Sequence, residues 1–174
     1  MTIALFSVPQ LILAEIFSQI QTNEIVSLSL CSKKSNQLIK LHRKKPTNSD
    51  LKMLDCGGLG FLDEKILLWV RPLPKNWKPR TGISIGNHKN ILCKIGRHGG
   101  VLTFWEDTVL GMKVCTEYVC DLFGITVYII MSETTDGLWM VDWVSEWQKG
   151  VPVKELFAEI RVEIDENEYR KLLS

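Results

Sequence analysis

The three histidines are the residues best suited to acid–base catalysis or metal binding near neutral pH. They are His42, in a basic helix end, and His88 and His98, in two predicted loops. None of them has a carboxylate, a serine or a cysteine at a spacing that indicates a catalytic triad or a metal site. We therefore predict no catalytic residue, no metal site and no enzymatic activity.

A glycine-rich run, Gly57-Gly58-Leu59-Gly60, follows a predicted strand, which is where some phosphate-binding loops occur. Such a loop needs a helix N-terminus directly after it, because the helix N–H groups hold the phosphate. Here Phe61-Leu62-Asp63-Glu64 and a further strand follow instead. We interpret the glycine run as a turn and predict no bound cofactor.

The cysteines and clustered carboxylates offer no reactive pair. The five cysteines are odd in number, widely spread and without a Cys-x-x-Cys pair, which argues against a disulfide scaffold and a zinc ribbon. Cys115 and Cys120 are expected to pack as small hydrophobic residues on different sides of a helix. Carboxylates from Glu155 to Glu168 alternate with apolar residues, which is typical of a solvated face. Buried thiols fit a reducing compartment, so we expect a cytoplasmic or nuclear protein.

Composition and charge disfavour two classes of partner. The chain has 174 residues, and 21 basic against 20 acidic side chains give a net charge of +1. No global field would draw it to nucleic acid or to a membrane. Glu15 interrupts the apolar N-terminal stretch and no Lys or Arg precedes Lys33, so we expect neither a signal peptide nor a membrane helix. Nucleic-acid binding through Arg43 to Lys45 and exposed tryptophans is a third-ranked alternative, which the near-neutral charge disfavours.

Three tryptophans form a stripe on one predicted helix. Trp139, Trp143 and Trp147 recur at four-residue steps. We expect them to pack against the sheet, and the alternative is that one or two are exposed as anchors for a target protein, because Trp is enriched at interface hot spots. Trp77, in a proline-rich loop, is a further candidate. The candidate target-binding residues are therefore Trp77, Trp139 and Trp143.

The middle of the chain has the pattern of a β-sheet. From Leu51 to about Glu106, short apolar or β-branched runs alternate with turn-forming residues, which predicts an antiparallel meander. Pro72, Pro74 and Pro79 predict a loop or an edge, since proline cannot donate to a strand ladder.

The remainder of the chain alternates between helix and strand. Asp107 is predicted to cap a helix that Gly124 ends, and a strand from Ile125 to Met131 follows. A helix over 138–148, a strand over 155–164 and a closing helix capped by Asp165 complete the order. This order is typical of βα units on a parallel sheet, stacked like a short leucine-rich solenoid. The fold class is α+β.

The N-terminal stretch, Phe6 to Leu41, predicts three short amphipathic helices. Pro9 suits the first turn of a helix, and Leu13, Ile16, Phe17 and Ile20 share one helical face. Asn23 is predicted to cap the second helix. A unit this small leaves much of its apolar surface exposed, so we expect it to need a partner.

The same stretch resembles a known family. Val8-Pro9, Ile16, Ile20, Ile25 and the run Leu28-Ser29-Leu30-Cys31-Ser32-Lys33-Lys34 resemble the F-box, and more narrowly the F-box of a receptor family expanded in nematodes. Two positions depart from the pattern: Leu11 replaces a common Glu, and Ser35 lies near a common Trp. The resemblance implies docking on the Skp-type adaptor of a cullin-based ubiquitin ligase. The implied adaptor-binding residues are Pro9, Leu11, Leu13, Ile16, Phe17, Ile20, Ile25 and Leu28.

The resemblance continues more loosely into the second part of the chain. Asp121-Leu122-Phe123 and Val141-Asp142-Trp143 resemble the start of an F-box-associated (type 2) domain. It implies a helical domain over 1–45 and a target-binding α/β domain over 51–174, which is short for the family and would be truncated. The predicted function is that of a substrate receptor in a Skp–cullin–F-box (SCF) ligase, binding the adaptor and an unknown target protein. The alternative is a small α+β enzyme or ligand-binding domain.

Overall fold

A computed structural model describes residues 8–42, 51–61, 66–76, 82–96, 100–132, 139–149 and 155–158. The helices are α1 (Gln10–Gln19), α2 (Thr22–Cys31), α3 (Lys33–His42), α4 (Thr108–Phe123) and α5 (Trp139–Trp147). The strands are β1 (Leu51–Leu54), β2 (Gly58–Phe61), β3 (Ile66–Pro72), β4 (Gly82–Ile85), β5 (His88–Ile95), β6 (Val101–Trp105), β7 (Val127–Ser132) and β8 (Glu155–Ala158). None of the described helices has both the length and the apolarity to cross a bilayer.

The three predicted N-terminal helices are present, with a different cap on the second. Gln21 rather than Asn23 precedes α2, and its backbone N–H donates to the Glu24 carboxylate at 3.2 Å. Asn23 lies inside the first turn, where its side-chain oxygen accepts from the Glu24 N–H at 2.9 Å. The helix therefore begins two residues earlier than the sequence signal indicated.

All described strands belong to one mixed sheet with the order β4-β5-β6-β3-β2-β1-β7-β8. β1, β2 and β3 are antiparallel neighbours, and so are β4, β5 and β6. The predicted meander is correct within each of these blocks and wrong where they meet, because β3 and β6 pair in parallel. Parallel neighbours need a long crossover, and here the β4–β5 hairpin lies within that connection. The α+β class is confirmed.

The interpretation of Gly57 to Gly60 as a turn is wrong from Gly58 onwards. The turn covers residues 55–57, and β2 begins at Gly58, paired with β1 and β3. Gly57 has a φ of +87°, and a Cβ there would lie 2.4 Å from the Val70 carbonyl oxygen. That close approach lets the Val70 N–H donate to the Gly57 carbonyl at 2.7 Å. The absence of a side chain at Gly57 therefore lets this turn pack closely against β3.

Helix α4 confirms the local capping signals. The Asp107 carboxylate accepts from the backbone N–H groups of Val109 and Leu110 at 2.9 and 3.0 Å. Gly124 ends the helix in the left-handed conformation, with a φ of 62°. Val109, in the first turn of α4, is exposed.

The predicted βα order after α4 is also observed. β7, α5 and β8 form one βαβ unit, with β7 and β8 in parallel pairing. β7 pairs in parallel with β1, so the unit extends the same sheet. The predicted continuation of the last strand beyond Ala158 and the helix capped by Asp165 lie outside the described residues.

The helical unit and the sheet share one hydrophobic core. Leu13, Phe17 and Ile25 from the helices belong to the same buried cluster as Phe61 of β2 and Val119 of α4. Helix α2 contacts β3, β4 and β6, and α3 contacts α4. The three N-terminal helices therefore pack directly on the sheet and on α4. The division of the chain into domains over 1–45 and 51–174 stays a prediction.

Candidate functional site

The first helix presents an aliphatic surface away from the core. Leu11 is 88% exposed, Ile12 is 51% exposed and Ile16 is 36% exposed; we call these three residues the α1 outer strip. Pro9, also exposed, precedes the helix, and its carbonyl accepts from the N–H groups of Ile12 and Leu13 at 3.0 and 3.1 Å. Pro9 thus fixes the start of the helix that carries the strip.

The eight predicted adaptor-binding residues divide by exposure. Pro9, Leu11 and Ile16 are exposed, and Ile20 and Leu28 are partly buried against the core. The other three, Leu13, Phe17 and Ile25, are buried in the core.

These three side chains are buried within their own chain, and their contact with an adaptor stays a prediction. The core beneath α1 and α2 uses Leu13, Phe17 and Ile25 to hold the helices on the sheet. Adaptor binding by the set as a whole stays a prediction.

Two exposed apolar residues were missing from the predicted set. Ile12 stands four residues before Ile16, a spacing that places both on one side of a helix and that could have identified it. Leu41, near the end of α3, is 75% exposed. The local sequence pattern does not predict that Leu41 is exposed and Ile39 is buried. This difference in exposure arises from how α3 packs on the neighbouring helices.

Ser35, where the family often has a large anchor nearby, is buried and hydrogen-bonded in this chain. Its backbone N–H donates to Ser32 Oγ at 3.0 Å, and the two hydroxyl oxygens lie 2.9 Å apart. Ser32 therefore caps the first turn of α3. Position 35 contributes to the interior of the helical unit and offers no exposed anchor.

Tyr118 of α4 joins the helical unit to the sheet. Its hydroxyl oxygen lies 2.7 Å from Ser29 Oγ in α2 and accepts from Asn36 Nδ2 in α3 at 3.0 Å. Burial raises the pKa of Tyr118, so the hydroxyl stays protonated at physiological pH. Lys40 and Asp121 form an ion pair beside it. These contacts orient α2 and α3, and through them α1.

A groove of ≈ 590 Å³ opens between α2, α3 and β4, with Tyr118 at its base. Polar side chains such as Ser32, Asn36 and Lys40 line it, together with Ile83 of β4. Ser32, Asn36 and Lys40 already bond to other groups of the chain. The groove has the size of a small-molecule site, but these polar groups serve to attach the helices.

The tryptophan stripe is the second surface feature, and it is only partly exposed. Trp139, Trp143 and Trp147 are partly buried and pack against the core, as the first of the two interpretations predicted. The Trp143 and Trp147 rings stack with centroids 5.3 Å apart, and Trp139 and Trp143 lie 6.5 Å apart. We call these three residues the Trp strip. Trp77 lies outside the described residues.

The other candidate chemical groups are placed as packing elements. His88 contacts the Trp105 ring edge-on at 5.8 Å, and His42 ends α3, while His98 lies outside the described residues. Burial raises the pKa of the Cys115 and Cys120 thiols to about 12, so both stay neutral. Within the described ranges, no three His, Cys, Asp or Glu side chains group in a way that would hold a metal ion.

Comparisons with known proteins identify the helical unit. Residues 5–47 match the model of the F-box domain. No curated protein and no solved structure matches the chain. The matched segment includes α1, α2 and α3, and F-box domains bind Skp-type adaptors. The chain therefore carries an F-box domain, and this match supports its assignment to the F-box proteins. An F-box domain implies a general role in substrate recognition by an SCF-type ubiquitin ligase.

Proposed function

We propose that this protein is an SCF substrate receptor that binds the Skp-type adaptor through the α1 outer strip. The observation that carries the proposal is the exposure of Leu11, Ile12 and Ile16 at the start of the F-box domain. Exposed aliphatic side chains on one helix are suited to a helix-in-groove interface, where a few buried contacts supply most of the affinity. Leu41, exposed on α3, is an additional candidate contact.

The role requires no catalytic group of the chain. A receptor that holds a target near a ubiquitin-charged enzyme raises the effective concentration of one partner near the other. What it must supply is a fixed orientation. The Tyr118 contacts to Ser29 and Asn36 favour such an orientation, because they join α2 and α3 to α4.

The test is co-expression with the Skp-type adaptor followed by size-exclusion chromatography. Leu11→Asp and Ile16→Asp place a charge where the strip would be buried, so we expect both to abolish co-elution with the adaptor. Ser18→Asp is the matched control, because Ser18 is exposed on the same helix and the added charge is the same. Equal adaptor capture by Ile16→Asp and Ser18→Asp would overturn the proposal.

The finer assignments belong to the same proposal. The run Leu28 to Lys34 supports membership in the nematode-expanded receptor family, and residues 51–174 would then belong to its F-box-associated (type 2) domain. We place the target on this second part, with Trp139 and Trp143 among its contacts. Action in the cytoplasm, the nucleus or both follows from the same ligase role.

A further inference from the structure

The Trp strip holds a cation within its own chain. Lys113 Nζ, on the neighbouring helix α4, lies 5.6 Å from the Trp139 ring centroid and 5.8 Å from that of Trp143. Both distances are within the range of a cation–π contact. The same chemistry occurs elsewhere in the chain, where the Arg71 guanidinium lies 4.6 Å from the Trp69 ring. The ring faces of the strip are therefore positioned to attract positive charge.

Two carboxylates border the Trp strip on its solvent side. Asp142 and Glu146 are exposed on α5, while Met140 and Val144 of the same helix are buried. Residues three or four apart are neighbours on a helix surface, so Asp142 adjoins Trp139, and Glu146 adjoins Trp143. The exposed side of α5 thus combines aromatic rings with negative charge.

We propose that the Trp strip with Asp142 and Glu146 is the docking site for a basic, arginine-rich segment of the target protein. Charge complementarity selects this occupant, because cations are attracted both by the ring faces and by the two carboxylates. Arginine is favoured over lysine, since its planar guanidinium also stacks on aromatic rings. The role as a target site rests on the proposed receptor function.

Lys113 then acts as an internal competitor for the incoming cation. Its ammonium group occupies the position over Trp139 and Trp143 that an arginine of the target would take. Removing Lys113 both uncovers the rings and removes a like charge. The proposal therefore predicts that one truncation beside the site strengthens binding, an outcome that a merely structural role for Lys113 would not produce.

The test uses the full chain and a short fluorescein-labelled oligo-arginine peptide, with binding followed by fluorescence anisotropy at low salt. We expect Trp143→Ala to weaken binding about tenfold and Trp143→Phe, which keeps a ring, to weaken it less. Lys113→Ala should tighten binding about threefold. Combined Asp142→Asn and Glu146→Gln should weaken it about three- to tenfold.

The control for general electrostatic attraction is the pair Glu15→Gln and Glu106→Gln, two exposed carboxylates outside α5. This pair should leave the affinity within about twofold, as expected for charges away from the interface. An equal loss in this pair, weaker binding by Lys113→Ala, or tighter binding of an oligo-glutamate peptide would each overturn the proposal. If Trp143→Ala does not fold, Trp143→Phe and Lys113→Ala decide it.

Adaptor co-elution, measured on the same preparations, separates the two proposals. Adaptor capture without a preference for oligo-arginine would overturn the docking site and leave the receptor function intact. Oligo-arginine binding that follows the expected order, with no adaptor capture by the wild-type chain, would overturn the receptor function instead and confirm the chemistry of the Trp strip.

Discussion

The α1 outer strip and the Trp strip are two surface features that differ in exposure and in chemistry. The first is aliphatic, with Leu11 and Ile12 projecting from a helix whose inner face is buried. The second is aromatic, partly covered, and combined with a lysine on one side and carboxylates on the other. Burial of aliphatic surface depends little on salt, whereas cation binding at a charged aromatic surface does.

The two surfaces therefore suit different partners. An aliphatic strip suits a permanent, largely apolar interface, and its affinity scales with fit and buried area. A charged aromatic strip suits reversible recognition of a short segment, because electrostatic complementarity gives specificity and fast association. A receptor needs both properties, one for the ligase and one for the target.

Substitutions on the two faces of α1 should differ most in their effect on stability. Phe17→Ala removes a side chain that is 2% exposed, and we expect it to lower the free energy of unfolding by about 3–5 kcal/mol. Leu11→Ala, on the outer strip, should change it by no more than about 0.5 kcal/mol. Urea unfolding followed by circular dichroism measures both. Similar losses in the two variants would mean that the outer strip is part of the core.

A second prediction concerns the hydrophobic core that the F-box helices share with the sheet, and tests whether both unfold together. Burial raises the pKa of the Cys115 and Cys120 thiols from 9.0 to about 12. The unfolded chain loses these protons near pH 9.0 and the folded chain keeps them, so stability is full below pH 9.0 and falls as the pH rises towards about 12. We expect a slope of about 1–3 kcal/mol per pH unit.

The measurement is urea unfolding at stepped alkaline pH, followed by helix signal and tryptophan fluorescence together. Cys115→Ala with Cys120→Ala should flatten the pH slope, whatever it does to the absolute stability. Separate transitions for the two signals would contradict a shared core and would support two independent domains instead.

The smallest effects concern the joint between the F-box helices and α4. Tyr118→Phe removes the hydroxyl that bonds Ser29 and Asn36, and we expect a loss of about 1–2 kcal/mol together with faster hydrogen exchange in α2. Lys40→Met breaks only an exposed ion pair with Asp121 and should cost less than about 1 kcal/mol. The reverse order of the two losses would show that the ion pair, rather than Tyr118, holds the joint.

Local signals in the sequence were sufficient for several elements. Asp107 and Gly124 bound α4 as predicted, because capping depends on residues adjacent in the chain. The three N-terminal helices and the β7–α5–β8 order were also predictable, since their apolar periodicity is strong. The resemblance to the F-box rested on the same local pattern.

The sequence did not reveal features that depend on distant contacts. The sequence pattern predicts a turn where β2 lies because Gly58 and Gly60 are typical turn residues, and only the pairing of β2 with β1 and β3 makes them a strand. The parallel pairing of β3 with β6 links segments about thirty residues apart, and no local pattern encodes it. For the same reason the periodicity of α1 could not assign Leu13 and Phe17 to the core and Ile12 to the surface.

The position of Lys113 over the Trp strip was equally beyond local reasoning. It comes from α4, whereas the tryptophans come from α5, and only the packing of both helices brings the charge to the rings. The pattern of apolar and aromatic spacings on α5 alone therefore identifies the strip but not its preference for a cation.

The strand order has a geometric consequence for the ligase. Helix α2 rests on β3, β4 and β6, whereas α5 rests on β7, several strands further along the same sheet. With a strand spacing of about 4.8 Å, the two helices are held roughly 20 Å apart along the sheet. In the proposed receptor, the sheet would hold the adaptor-binding and target-binding helices at this fixed separation, which would determine which lysines of a captured protein come within reach of modification.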